Sequence, residues 1–227
     1  YMLLKFYICF KYIKQMLKIA HRGYSEIYKD NTLEAFTEAI IQNFDMLELD
    51  IQLCKDNKIV IFHDKYLNSK LISDYTLEEL EEEEVLPLSK FFNLIDTYKT
   101  RVYLDIKGTD LSIVPILIQL LKNTEIVNLK NIYVASFNRK ITEELYKSKL
   151  RFYIGYITHS NYTNIEWDIL IRNVDFISIN WEVLDSNTIE YLQHYSKIIF
   201  VYTCRNKQEL NEIKKFNIDG IVSNIII

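Results

Sequence analysis

Met46-Leu47-Glu48-Leu49-Asp50-Ile51-Gln52-Leu53 is followed, across the polar turn Lys55-Asp56-Asn57-Lys58, by Ile59-Val60-Ile61-Phe62-His63-Asp64. The first run alternates with a period of two. That period places Leu47, Leu49 and Ile51 on one face of a strand and Glu48 and Asp50 on the other. The turn is too short for a parallel crossover, so the second run is expected to fold back as an antiparallel hairpin strand. The hairpin would return His63 to the rim that holds Glu48 and Asp50.

Outward from this segment, short β-rich runs alternate with helix-period segments. Strands are expected over residues 17–20, 46–51, 102–106, 132–136, 152–157, 174–179, 198–203 and 220–223. Helical patterns cover residues 32–42, 88–98, 113–121, 140–147, 187–194 and 207–215. Leu88, Phe91, Phe92, Ile95 and Tyr98 carry the clearest 3.6-residue period. Such alternation argues for an α/β chain with a parallel sheet. Eight strands in 227 residues favour a closed TIM-type (β/α)8 barrel over an open sheet. The hairpin strand over 59–62 is an addition to the eight. Thr76-x-x-Glu79 has the form of a capping box, so the acidic run 78–84 reads as a solvated helix face or loop rather than a cation site.

With 49% hydrophobic residues the chain can bury a large core. A net charge of -4 gives no broad basic field, which argues against nucleic acid as a partner. No run of about 20 apolar residues is present to span a membrane as a helix. Cys9, Cys54 and Cys204 show no metal or C-x-x-C spacing and suit thiols of a reducing, cytoplasmic compartment. With four glycines and two prolines, turns must rely on Asn, Asp, Lys and Ser.

Residues 1–15 read as an amphipathic extension to a barrel domain of residues 16–227. Leu3, Phe6, Phe10 and Ile13 fall at helical spacing, with Lys11, Lys14 and Lys18 on another side. Three readings stand open: an extension upstream of a natural start at Met16, a basic helix making peripheral contact with a membrane surface, or a helix packed on the barrel. The third is preferred, because the chain stops at Ile227, just after the eighth strand, with no helix to cover that strand.

Two carboxylates on one face of a strand end are costly unless a cation or proton is shared between them. Mg2+ or Ca2+ is the natural occupant of Glu48 and Asp50. Asp105 and Lys107, in Tyr103-Leu104-Asp105-Ile106-Lys107-Gly108, repeat the spacing on another strand. They offer a third carboxylate and a fixed positive charge for a phosphate oxygen. His21 and Arg22 follow the first strand and precede Gly23, which lets a substrate approach the backbone. His21 and His63 can work as acid and base, and Arg22 can bind a phosphate through two nitrogens. His159 and His194 suit the surface. Trp181 and Tyr202 stand at strand ends as candidates for a substrate pocket.

Ala20-His21-Arg22-Gly23, Asn31-Thr32-Leu33-Glu34-Ala35-Phe36, Glu48-Leu49-Asp50, His63-Asp64 and Asp105-Ile106-Lys107 together resemble the glycerophosphodiester phosphodiesterase family. The resemblance runs in order from about Met16 to the end, with weaker echoes at Ser136-Phe137, Val201-Tyr202-Thr203 and Asp219-Gly220-Ile221. It implies a TIM-type barrel and metal-dependent hydrolysis of glycerophosphodiesters to glycerol 3-phosphate and an alcohol. By resemblance, Glu48, Asp50 and Asp105 hold the divalent ion, His21 and His63 form the acid/base pair, and Arg22 and Lys107 bind the phosphate. Attack by the neighbouring glycerol hydroxyl and hydrolysis of a cyclic phosphate is the implied course.

The chain departs from the family pattern in four places. Asp105 stands where the family usually has Glu; Asp is seen there in related spider-venom-type phospholipase D enzymes, which favour cyclising transfer. Tyr202 replaces a late Trp, and Asn224 replaces a final Asp. The segment between His63 and Pro87 is shorter than the usual insertion that helps form a substrate cap. Two alternatives therefore accompany the leading reading. One is a phospholipase D-like transferase acting on lysophospholipids and stopping at a cyclic phosphate, and the other is a phosphodiester-binding barrel without turnover.

Overall fold

The period-two runs form the staves of a closed barrel. In the computed structural model, residues 16–124 and 127–227 are described; the expected amphipathic extension, residues 1–15, lies outside them. The chain runs β1 Leu17–His21, α1 Leu33–Ile41, β2 Met46–Leu53, β3 Ile59–Ile61, β4 Tyr66–Leu67, β5 Lys70–Leu71, α2 Leu77–Glu82, β6 Leu86–Pro87, α3 Leu88–Leu94 and β7 Arg101–Ile106. It continues α4 Ile113–Asn123, β8 Ile132–Ser136, α5 Arg139–Lys147, β9 Tyr153–Thr158, α6 Asn164–Leu170, β10 Phe176–Asn180, α7 Ser186–His194, β11 Ile198–Cys204, α8 Lys207–Ile213 and β12 Gly220–Ser223.

Strands β1, β12, β11, β10, β9, β8, β7 and β2 neighbour one another in that order, all parallel, and the β1–β2 pairing closes the ring. These are the eight expected strands, with ends shifted by a residue or two. The expected hairpin is present: β3 runs antiparallel to β2, pairing Ile51 with Ile61 and Leu53 with Ile59. β6 adds outside it, and β4–β5 make a small separate ribbon. Only Met46–Glu48 of β2 pair with β1, so β3 takes over the β2 edge that β1 vacates.

Alternation along each strand divides the apolar residues into two layers. Leu47, Leu49, Val102, Leu104, Val134, Ile177, Ile199 and Ile221 face outward into the layer shared with the helices. Ile19, Met46, Tyr103, Tyr133, Phe176, Phe200 and Val222 fill the barrel interior. Four of these are aromatic rings, with Phe176 5.4 Å from Tyr103 and 5.2 Å from Phe200 between centroids. Gly155 is where that filling demands a missing side chain: a Cβ there would stand 2.2 Å from the Phe176 ring. The apolar rings close the barrel floor, and the polar ends of the same strands sit above it.

Three local readings need revision. The helix expected over 88–98 ends at Leu94, because Ile95 is extended and Asp96 starts a turn whose carboxylate and carbonyl accept from Tyr98, Lys99 and Thr100. Tyr98 is then exposed. α6 is a helix that the apolar pattern did not announce; its capping box, Thr163 with Glu166, was the available signal. The short pairs β4–β5 and β3–β6 depend on non-local pairing that no local pattern reveals. The Thr76–Glu79 capping box is formed at α2, and four of the nine non-glycine residues with positive φ among those described are Asn, Asn57 in the hairpin being one.

Candidate active site

His21 ends β1, and the backbone then turns sharply. Arg22 takes φ 57° and Gly23 φ 82°. A Cβ at Gly23 would also lie 2.6–2.9 Å from Ala35 of α1, so only glycine permits this helix to pack there. The turn points the Arg22 N–H at Glu48, donating to Oε2 at 2.9 Å. Register across the ring then sets the neighbours: His21 is opposite Glu48, and Asp50 is opposite Asp105. The Phe62 N–H donates to the Asp50 carbonyl at 3.0 Å, which seats His63 beside the same strand.

The result is a cleft of about 380 Å³ at the carboxyl ends of the barrel strands. His21, Arg22, Glu48, Asp50, His63, Asp105, Lys107 and Tyr202 all line it. Eight of the nine residues singled out from the sequence are thus brought together. Trp181 is not among the lining side chains. Asn180 pairs with Tyr202 in register; one residue further, Trp181 falls on the opposite face, half-buried against the outer apolar layer. His159 and His194 are exposed, as expected.

The three carboxylates are buried, and each offers an oxygen within 4.8 Å of the others. Asp50 is the most supported. Its Oδ2 accepts from Asn31 Nδ2 at 2.8 Å, and its Oδ1 pairs with Lys107 Nζ at 2.8 Å. Arg22 Nε stands 3.0 Å from Oδ2, but the N–H does not point at that oxygen, so this contact is Coulombic attraction rather than a hydrogen bond. The Arg22 guanidinium also donates to Asp30 at 3.0 Å. Lys107 Nζ reaches Asp105 Oδ2 at 2.5 Å, whereas Asp105 Oδ1 is buried with no hydrogen-bond partner.

These contacts set the charges. Burial raises the Glu48 carboxyl well above its usual range, and Asp50 and Asp105 add to the effect. Burial also raises Asp105, to about 6, with Asp50 adding to it and Lys107 working against it. Burial would lift Asp50 too, but Lys107 and Arg22 override it and hold that carboxyl low. Lys107 is kept protonated because Asp105, Asp50 and Glu48 outweigh its own burial. Burial, reinforced by Arg22, takes the His21 imidazole down to about 4.

Three buried carboxylates, one with an oxygen that lacks a partner, suit a hard divalent cation that takes oxygen ligands. Two imidazoles and two cations lining one cleft suit acid/base work on an anionic substrate. Tyr202 donates to the Thr158 carbonyl at 2.7 Å, and its ring meets Phe137 edge-on, giving one apolar wall. Two functional partners went unassigned from the sequence. Asn31 braces Asp50 from a left-handed turn, and Asn224 stands 2.6 Å from His21 Nδ1. Asn31 sits in the Asn-Thr-Leu-Glu-Ala-Phe motif, where a polar residue beside a helix start was the signal. Asn224 is 203 positions from its partner, and only closure of the barrel joins them.

A family model described as the glycerophosphoryl diester phosphodiesterase family matches residues 21–170. A glycerophosphodiester phosphodiesterase of Caldanaerobacter subterraneus is 25% identical over 229 residues, covering 92% of this chain and 93% of the relative. The solved glycerophosphodiester phosphodiesterase of Thermotoga maritima superposes with a TM-score of 0.77 at 25% identity, covering 92% of this chain and 94% of that one. A phosphodiesterase of Oleispira antarctica, solved with its product sn-glycerol-3-phosphate, shares the fold with a TM-score of 0.83 at 19% identity, covering 92% and 93%.

Proposed function

The chain belongs to the glycerophosphoryl diester phosphodiesterase family, and from that premise we propose that its cleft hydrolyses small glycerophosphodiesters to glycerol 3-phosphate and a free alcohol. One observation carries the reading: two histidines, two cations and three buried carboxylates converge on a single cleft. In this reading Arg22 and Lys107 bind the phosphate oxygens, and the diester lies between His21 and His63. Tyr202 shapes the wall of the substrate pocket, and Trp181 stays outside it. His21 and His63 exchange protons with the attacking and leaving oxygens. The attacking group is the neighbouring glycerol hydroxyl, and a cyclic phosphate is then opened by water.

Glu48, Asp50 and Asp105 are the residues that would hold a divalent ion, Mg2+ or Ca2+. When bound, the ion orients the diester and offsets charge developing on its oxygens. Ligand carboxyls must shed their protons to hold it. Asp105 is protonated below about 6 and Glu48 is raised as well. Affinity is therefore expected to rise with pH through about 6, and binding to release protons. Calorimetry in buffers of differing ionisation enthalpy, over roughly pH 5 to 8, checks both; pH-independent affinity would rule the carboxylate set out. No helix among the described residues is long and apolar enough to cross a membrane. The buried free thiols Cys54 and Cys204 support a reducing, cytoplasmic setting.

Incubation with glycerophosphocholine and other head groups, with Mg2+ or Ca2+, should release glycerol 3-phosphate, and chelator should stop it. Absence of product from every diester under either ion would sink the proposal and leave the binding barrel. Accumulation of a cyclic phosphate, read by phosphorus NMR, would identify the transferase instead. Asp105 favours keeping that second reading in the assay, because it is the shorter carboxylate and carries the unpartnered oxygen.

A further inference from the structure

The two histidines of the cleft lean on partners of different charge. His63 Nδ1 lies 2.6 Å from the Asp64 carboxylate, whereas His21 Nδ1 lies 2.6 Å from Oδ1 of the Asn224 amide. An amide oxygen only accepts, so the ring nitrogen facing it must carry the proton. The second ring nitrogen of a neutral imidazole is then a lone pair. At His63 the facing group is a carboxylate, which accepts from the same ring nitrogen and brings a negative charge that the amide lacks.

We infer that Asn224 is a positioning residue that holds His21 as the neutral Nδ1–H tautomer, so that His21 accepts a proton in the reaction and His63, backed by Asp64, donates one. This rests on the phosphodiesterase reading of the cleft. Asn224 is well placed to fix the ring. It follows β12 directly, and its N–H donates to the Cys204 carbonyl at 2.9 Å. The neighbouring Ser223 hydroxyl is buried and accepts from the Ile225 N–H. Burial, Arg22 and Lys107 disfavour a second proton on the ring; the Asn224 hydrogen bond and Asp50 favour one, and the first set outweighs the second.

The proton count balances over two steps. In the first, His21 Nε2 takes the proton of the attacking glycerol hydroxyl as its oxygen bonds to phosphorus. The bond from phosphorus to the head-group oxygen breaks, and His63 gives that oxygen its proton. In the second, His63 takes a proton from water as the water oxygen bonds to phosphorus. The cyclic ester bond breaks, and His21 returns its proton to the glycerol oxygen. Both rings end as they began.

The test is nitrogen-15 NMR of the full chain with labelled histidine, without substrate or metal, on wild type, Asn224→Asp and Asn224→Ala. Wild type should show His21 Nδ1 protonated and Nε2 unprotonated at neutral pH. Asn224→Ala should mix the two tautomers. Asn224→Asp should place protons on both nitrogens and move the acidic limb of the kcat/KM profile upward by about one to three pH units. Asp64→Asn should leave the His21 signals unchanged. A wild-type ring protonated at Nε2, as the opposite amide rotamer would give, overturns the inference, and so does an acidic limb that Asn224→Asp does not move. The tautomer is read without turnover, so it stands or falls separately from the choice of substrate.

Discussion

Alanine at His21 or at His63 is expected to lower the rate of glycerophosphodiester hydrolysis by about 100-fold or more, the range for losing a positioned acid or base. Both rings line the cleft beside the carboxylate trio. The effect should fall on kcat, since in the proposed roles Arg22 and Lys107 would still bind the phosphate and keep KM close to its original value. Stability separates the two roles further. His63 is partly exposed and His21 gives up one side-chain hydrogen bond, worth about 1 kcal/mol. Each variant should therefore melt near wild type while losing turnover. Activity near wild type in either variant rejects that residue as acid or base.

The largest effect on stability is expected from Phe176→Ala, at about 3–5 kcal/mol. The ring is wholly buried in the barrel interior and packs edge-on to Tyr103, obliquely to Tyr133 and at 5.2 Å from Phe200. Gly155 has no side chain to move into the space left behind, and the flanking rings are held by their own strands. The cavity cannot collapse, which places the cost towards the upper end. Denaturant titration gives the result as a lower midpoint with an unchanged slope. A loss below about 1 kcal/mol would mean that the interior rings rearrange freely.

The parts of the molecule written in a short period were legible from the sequence. Glu48 and Asp50 alternate with Leu47, Leu49 and Ile51, and that one pattern gives the strand, its two faces and the acid pair. Asp105 and Lys107 follow the same rule. Polar turn residues between 55 and 58 foretold the β2–β3 hairpin, since few connections are compatible with so short a link. What stayed hidden depends on the closed ring. Asn224 meets His21 because β12 lies beside β1, and nothing near either residue records that adjacency. Trp181 and Tyr202 both stand at strand ends in the sequence, but the register of β10 on β11 sends them to opposite faces. α3 stops early because Asp96 captures backbone N–H groups, a competition that apolar spacing does not register.

The clamp formed by β3 and β6 has a consequence for how this barrel can change. Val60 pairs with Pro87 and Ile61 with Leu86, so the chain leaves and re-enters the barrel at almost the same point. The residues between pack Ile72, Tyr75, Leu80 and Val85 against Cys54 and Val60 of the hairpin, in a small apolar cluster apart from the two barrel layers. With its ends already fixed side by side, this excursion is a cassette. Doubling its length adds only about 0.6 kcal/mol of closure entropy, and none of the eight staves need shift to accommodate it. Segments of different length and chemistry could be exchanged there, next to the rim that carries His63, while His63 keeps its seat beside Asp50.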